Sequence, residues 1–215
     1  MRCIYCDKPI EKINFYNLFL EEDCLCSECR NKLIIDKKYI KIDKLKILTL
    51  YNYDGFFRDL LIQYKECYDE ALAEVFLYKL KDYIKYKYLG YSILFIPSSE
   101  NKLKNRGFNH LELIFKGVNM PIINGLKMKI DTVQEGKNLS QRKMMIDNYV
   151  YIGNKHKKVL IVDDVLTSGS SMLGAYNAVK PFFEKIELLT LARKENAFIY
   201  RNKCVKIKKR RIIRC

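Results

Sequence analysis

The sequence predicts an α/β fold, a mainly parallel sheet flanked by helices, with a small four-cysteine module ahead of it. Three observations lead there. Short continuous apolar, β-branched runs at Tyr91–Ile96, Val159–Val162 and Ile186–Leu191 read as strands covered on both faces, because an edge strand would alternate with polar residues. Between them lie apolar residues at helical spacing, and alternating strands and helices build a parallel sheet. Two Cys-x2-Cys pairs stand before the first of these elements.

Cys3 with Cys6 forms one knuckle and Cys26 with Cys29 the other, and the 19 residues between them fit a four-cysteine zinc site. A tetrahedral ion would fix a segment too short to bury a core of its own. Cys24 is a competing ligand, although Cys26 makes the better knuckle with Cys29. The alternative is a secreted disulfide scaffold. No apolar leader precedes Cys3, which favours reduced thiols, zinc and a cytoplasmic location. Cys67, Cys204 and Cys215 have no partner at ligand spacing and read as free thiols. The expected division is a zinc-binding module at 1–44, a main domain at 45–202 and a basic tail at 203–215.

Within the main domain, Leu72, Val75, Phe76, Leu80, Tyr83 and Ile84 predict one core-facing helix from about Asp69 to Lys87. Pro97 ends the Tyr91–Ile96 strand and opens a loop that carries Lys102, Lys104 and Arg106. Such a cluster suits a pyrophosphate group, since an arginine can bind it through two parallel hydrogen bonds; the bland reading is a solvated basic turn. Gly107 marks a turn, and Phe108, Leu111, Leu113, Ile114 and Val118 predict a packed helix after it. Asp131 to Asn148 is polar and aperiodic, a loop long enough to be functional, for instance by closing over a ligand.

The most informative stretch is Val159 to Met172, VLIVDDVLTSGSSM. Open α/β sheets place ligands at the carboxyl ends of their strands, where Asp163 and Asp164 stand. Thr167, Ser168, Gly169, Ser170 and Ser171 supply hydroxyls and unhindered N–H groups ahead of a helix-compatible segment at Met172–Lys180, which makes a phosphate cradle. Carboxylates that accept from sugar hydroxyls, next to a cradle for an anion, describe a phosphorylated sugar. A Walker A loop is excluded because no lysine occurs between Val159 and Lys180. A response-regulator pocket is excluded because no aspartate follows Asp164.

This stretch resembles the PRPP-binding motif of type I phosphoribosyltransferases. The resemblance implies that Asp163 and Asp164 contact the ribose hydroxyls of Mg²⁺-bound PRPP, and that Thr167 to Ser171 wrap its 5′-phosphate. With the amino-terminal cysteines, the chain resembles the ComF family of competence-associated proteins. Tyr51–Leu61, YNYDGFFRDLL, is similar to that family's Y-x-Y-D-G-x-x-R-x-L-I segment. Ile96-Pro97 followed by Lys102, Lys104, Arg106 and Gly107-Phe108-Asn109 resembles its basic loop. Thr132, Gln134, Leu139 and Ser140 match its mobile segment. Ser99 and His110 depart from the pattern, where the family often has histidine and glutamine.

Forty Lys plus Arg against 25 acidic residues give a formal net charge of +15, which favours polyanionic partners. Lys203, Lys206, Lys208, Lys209, Arg210, Arg211 and Arg214 crowd the last residues with no acid among them. No apolar run approaches the roughly twenty residues that span a bilayer, so membrane insertion is not expected. Two functions follow. One is a phosphoribosyltransferase of the ComF type acting in DNA uptake, its acceptor unreadable from the sequence. The other is a non-catalytic PRPP or nucleotide sensor that engages single-stranded DNA or a competence helicase.

Overall fold

Strand β6, His156–Leu166, is the sheet's spine. Its Val159, Leu160, Ile161 and Val162 are fully buried, as a run of apolar residues without polar alternation requires. A computed structural model describes residues 2–10, 24–98, 107–129 and 148–194. Lys102, Lys104 and Arg106, the segment 130–147 and the basic tail lie outside the described residues.

The sheet also contains β1 (Lys38–Ile42), β2 (Leu45–Asn52), β3 (Ser92–Phe95) and β7 (Phe183–Arg193), in the order β1-β2-β7-β6-β3. β2, β7, β6 and β3 run parallel, and β1 is an antiparallel edge. The three strands expected from the sequence are therefore β3, β6 and β7. The sheet starts earlier than the expected boundary near Lys44, which falls in the tight turn joining β1 to β2. Asp43 takes the left-handed φ of 53° that this turn demands.

One short helix, α1 (Ser27–Lys32), belongs to the four-cysteine module, and the other helices cover both faces of the sheet. On one lie α2 (Gly55–Glu66), α3 (Ala73–Leu77), α4 (Lys81–Lys87) and α5 (His110–Phe115), whose Leu60, Tyr64, Phe76, Ile84 and Leu111 join Leu160 and Val162 in one core. On the other lies α6 (Ser170–Val179), whose Met172 and Ala175 pack with Val159 and Ile161. A hairpin of β4 (Leu126–Met128) and β5 (Tyr149–Tyr151) adds Leu126 and Tyr151 to this second core. Fully burying each such side chain is worth about 1.5–3 kcal/mol, so both faces are secured by packing more than by helix propensity. No helix among the described residues is long and apolar enough to cross a membrane.

The single helix expected over Asp69–Lys87 is broken in two. Tyr51, on β2, donates its hydroxyl to the Phe76 carbonyl at 2.7 Å. In an unbroken helix that carbonyl would accept from the Leu80 N–H, which turns instead to Leu77 O at 2.8 Å. The helical apolar period survives because Leu72, Val75, Phe76, Leu80 and Ile84 are still buried on one side.

β7 ends on a buried cation. The Arg193 guanidinium donates to Asp36 O at 2.9 Å and Thr49 Oγ1 at 3.1 Å, and pairs with the Asp36 carboxylate. These bonds tie the chain entering β1 to the carboxyl end of β7.

Candidate functional site

The consecutive connections around β3 and β6 leave the sheet in opposite directions. After β3 the next described helix, α5, lies on the α2 face, whereas after β6 the chain enters α6 on the other. Neighbouring parallel strands whose connections diverge leave a crevice at their carboxyl ends, the usual ligand position in open α/β sheets. β3 is paired with β6 only as far as Phe95 opposite Val162, so Asp163 and Asp164 extend past its last pair.

The doublet remains strand on its other side, where Asp163 pairs with Thr190 and Val165 with Ala192 of β7. Successive strand residues point to opposite faces, so the two carboxylates part company. Asp164 turns to the α2 face. Its Oδ2 takes the ammonium of Lys65, from the last turn of α2, and His110 Nε2 at 2.9 Å. An ionised carboxylate only accepts, so the His110 proton sits on Nε2. Burial works to raise the Asp164 pKa, but His110 and Lys65 outweigh it and hold the carboxyl well below the usual range.

Asp163 turns to the α6 face, and its Oδ1 accepts the Asp164 N–H at 2.9 Å. Burial, together with the charge of Asp164 next door, pushes its pKa up to about 7. Tyr149, from β5, stands beside it and hydrogen-bonds Ser171. Two adjacent carboxyls whose environments drive their pKa values apart mark a site with divided roles.

The hydroxyl loop opens α6. Gly169 is the helix N-cap with φ 75°, and a side chain there would collide with Ile42 of β1. Ser170 is buried and its Oγ lies 2.9 Å from Ser168 Oγ, while Thr167, Ser168 and Ser171 are exposed. Hydroxyls and the first N–H groups of a ten-residue helix thus follow Asp163 on the same side of the sheet, with Tyr149 interacting with both Ser171 and Asp163.

Lys65, Tyr149 and the pairing role of His110 escaped the sequence reading. Lys65 lies 99 positions from its partner and His110 lies 54, so neither carries a local signal. Tyr53 adds a fourth neighbour: burial and the Asp164 charge raise its pKa.

At the other end of the chain, Cys3, Cys6, Cys26 and Cys29 place their sulfurs within 4.8 Å of one another, with Cys6 and Cys26 at 3.6 Å. Tetrahedral zinc at about 2.3 Å from each thiolate would set sulfurs about 3.8 Å apart, so the cluster fits such an ion. The backbone also fits. Burial works to raise the Cys3 pKa, but the N–H groups of Cys26, Cys6 and Tyr5 donate to its sulfur and bring it down to about 7. Cys24 is not in the converging set, and none of the described cysteines forms a disulfide. The module rests on the main core through buried Leu25 and an edge contact of Tyr5 on Phe56 at 4.7 Å.

No family model matches the chain. Competence protein ComFC of Streptococcus pneumoniae (strain ATCC BAA-255 / R6) is 26% identical over 215 aligned residues, covering 86% of this chain and 94% of that protein. A hypoxanthine phosphoribosyltransferase of known structure from Staphylococcus aureus matches with a TM-score of 0.38 and 14% identity, over 60% of this chain and 66% of that one. The chain is thus similar, over most of its length, to a protein named as competence protein ComFC.

Proposed function

We propose that this chain binds Mg²⁺-PRPP at the crevice between β3 and β6, as a ComF-type phosphoribosyltransferase acting in DNA uptake. One observation supports the reading: Asp163 lies on the α6 side of the sheet near the carboxyl end of β6, and the hydroxyl loop that opens α6 follows it directly. The Thr167–Ser171 loop takes the 5′-phosphate, and Asp163 accepts from ribose hydroxyls. Asp164, the second member of the expected ribose pair, is drawn toward Lys65 and His110. In transfer, an acceptor nitrogen would bond to C1 of the ribose while the C1–O bond breaks and its electron pair leaves with pyrophosphate. Lys102, Lys104 and Arg106 are suited to neutralise that leaving group with the Mg²⁺. Positioning and charge supply the catalysis, and no protein nucleophile is needed. Zn²⁺ in the four-cysteine cluster is structural.

The test is calorimetric titration of PRPP with Mg²⁺, followed by pyrophosphate release with bases and nucleotides as acceptors. Saturable binding lost in Asp163→Asn is the expected result, and affinity unchanged in that variant refutes the site.

One observation favours a second reading, a non-catalytic PRPP sensor that holds single-stranded DNA or a helicase partner. At the amino ends of the parallel strands Lys46 sits 4.1 Å over Tyr39, and Lys158 and Lys185 lie 5.6 and 5.9 Å from Tyr91. Lysines interleaved with aromatic rings suit a single strand. Binding that weakens steeply with salt and on removal of residues after Asn202, without pyrophosphate release, would favour it.

A further inference from the structure

Thr190 of β7 is fully buried, and its hydroxyl has no hydrogen-bond partner among the described residues. A buried hydroxyl left unpaired is costly, and in a native fold it calls for a reason. We propose that Thr190 is a positioning residue for the ligand site: when Asp163 is ionised, the Thr190 hydroxyl donates to its carboxylate and holds it in place for the sugar. The ligand in this inference rests on the PRPP reading; the contact between the two side chains does not.

The strand register brings the two residues together. Thr190 is the β7 partner of Asp163, and two positions earlier Leu188 is the partner of Ile161. Ile161 and Leu188 both lie in the core under α6, so alternation turns Asp163 and Thr190 to that same side. Neighbouring strands run about 4.8 Å apart, a gap that a threonine hydroxyl and an aspartate carboxylate can close between them. The row continues into Thr49 of β2, the other strand neighbour of Thr190. Its hydroxyl is already engaged, donating to Lys38 O at 3.1 Å and accepting from Arg193 at 3.1 Å. Asp163 is the neighbour with room.

The Asp163 carboxyl has an oxygen to spare. Its Oδ1 accepts the Asp164 N–H, and among the described residues none donates to Oδ2. The charged and titratable groups that face it are Asp164 beside it, Lys65 from α2 and Tyr149 from β5. Burial and the Asp164 charge favour the protonated acid, whereas the Asp164 N–H and Lys65 favour the carboxylate. A hydroxyl that donates joins the second group, because its bond to an anion is stronger than its bond to a neutral acid. A carboxylate has about four acceptor positions. With one taken by the Asp164 N–H and one by Thr190, two remain for the sugar hydroxyls.

Carboxyl ¹³C NMR follows the Asp163 titration directly, with Asp163→Asn identifying its resonance. Thr190→Val keeps the side chain's shape without the hydroxyl, and it raises the Asp163 midpoint by about one pH unit. Thr190→Ser keeps the parent's midpoint. Should Thr190→Val fail to fold, Thr190→Ala gives the same rise. A midpoint unmoved or lowered on loss of the hydroxyl overturns the proposal. Calorimetric titration with Mg²⁺-PRPP then tests the consequence: at pH 7 Thr190→Val binds about fivefold more weakly, and the gap closes by pH 9, where both proteins carry the carboxylate. A gap of the same size at pH 9 also overturns the proposal, because a residue that only supports the fold weakens binding at every pH. PRPP affinity that is indifferent to Asp163→Asn defeats the ligand reading alone, and the NMR midpoint still decides the Thr190 contact.

Discussion

Replacing Asp163 by asparagine should make the protein more stable and a poorer binder at the same time. Burial and the neighbouring Asp164 carboxylate raise the Asp163 pKa from 3.8 to about 7. That is about three units, or about 4 kcal/mol at 1.36 kcal/mol per unit, charged against the folded state whenever Asp163 is ionised. The sign follows from proton counting. Between about pH 4 and 7 the folded chain keeps a proton that the unfolded chain has released, so this group lowers stability progressively as pH rises and its full penalty stands above pH 7. Asparagine has no such penalty. Urea unfolding at pH 8 should show Asp163→Asn more stable than the parent by about 1–4 kcal/mol, with the difference shrinking toward pH 4.5. PRPP affinity should fall by about ten- to a hundredfold, the range for a hydrogen bond to a charged acceptor. In the parent, affinity should rise from pH 6 to pH 8 as the carboxylate forms. A variant that is less stable at pH 8, or whose advantage does not depend on pH, would refute the claim that Asp163 is a charge kept at a cost for a ligand.

Three further outcomes follow from particular contacts. Gly169→Ala should lower stability by about 1 kcal/mol or more, because it forces a side chain at φ 75° against Ile42; thermal unfolding checks this, and an unchanged midpoint would mean that the α6 start is loosely packed. Arg193→Met should cost about 1–3 kcal/mol in chemical denaturation, since it removes the buried guanidinium's bonds to Asp36 and Thr49 while Lys38, at 3.0 Å, still pairs with the Asp36 carboxylate. Cys26→Ser should reduce the metal found in purified protein from about one zinc per chain and lower its melting temperature, whereas metal-free folded parent would count against a structural ion.

What the sequence made legible was local. The β-branched run of β6, the acidic doublet and the hydroxyl loop lie within fourteen consecutive positions, Val159 to Met172, and their chemistry is carried by residue type alone. The partners of the doublet are not local, and nothing around Lys65 distinguishes it from the many other lysines. The helix break at Tyr78–Leu80 was equally hidden, because its cause is a tyrosine hydroxyl on β2. For β1 a signal was present. Lys38–Ile42 reads Lys-Tyr-Ile-Lys-Ile, and the Asp43-Lys44 pair then offers a two-residue turn into Leu45, a hairpin pattern masked by the lysine and isoleucine richness around it.

The strand register also explains why two chemically identical neighbours cannot share one role. Were Asp163 and Asp164 in an irregular loop, both carboxylates could turn toward the same sugar, and their mutual repulsion would be relieved only by a cation from solution or ligand. Pairing with β7 through Val165 and Leu166 keeps the strand regular, which sends Asp163 to the α6 side and Asp164 toward α2 and α5. The repulsion is then resolved within the chain. Lys65 and His110 fix the charge on Asp164, and that fixed charge, with burial, holds the proton on Asp163 near neutral pH. An incoming cation, whether the ligand's Mg²⁺ or a pyrophosphate-bound Mg²⁺ approaching the crevice, would lower the Asp163 pKa and release that proton. Ligand binding at pH 6.5 should therefore expel protons, measurable as a buffer-dependent calorimetric enthalpy, and Asp163→Asn should abolish that dependence while Lys65→Met leaves it in place.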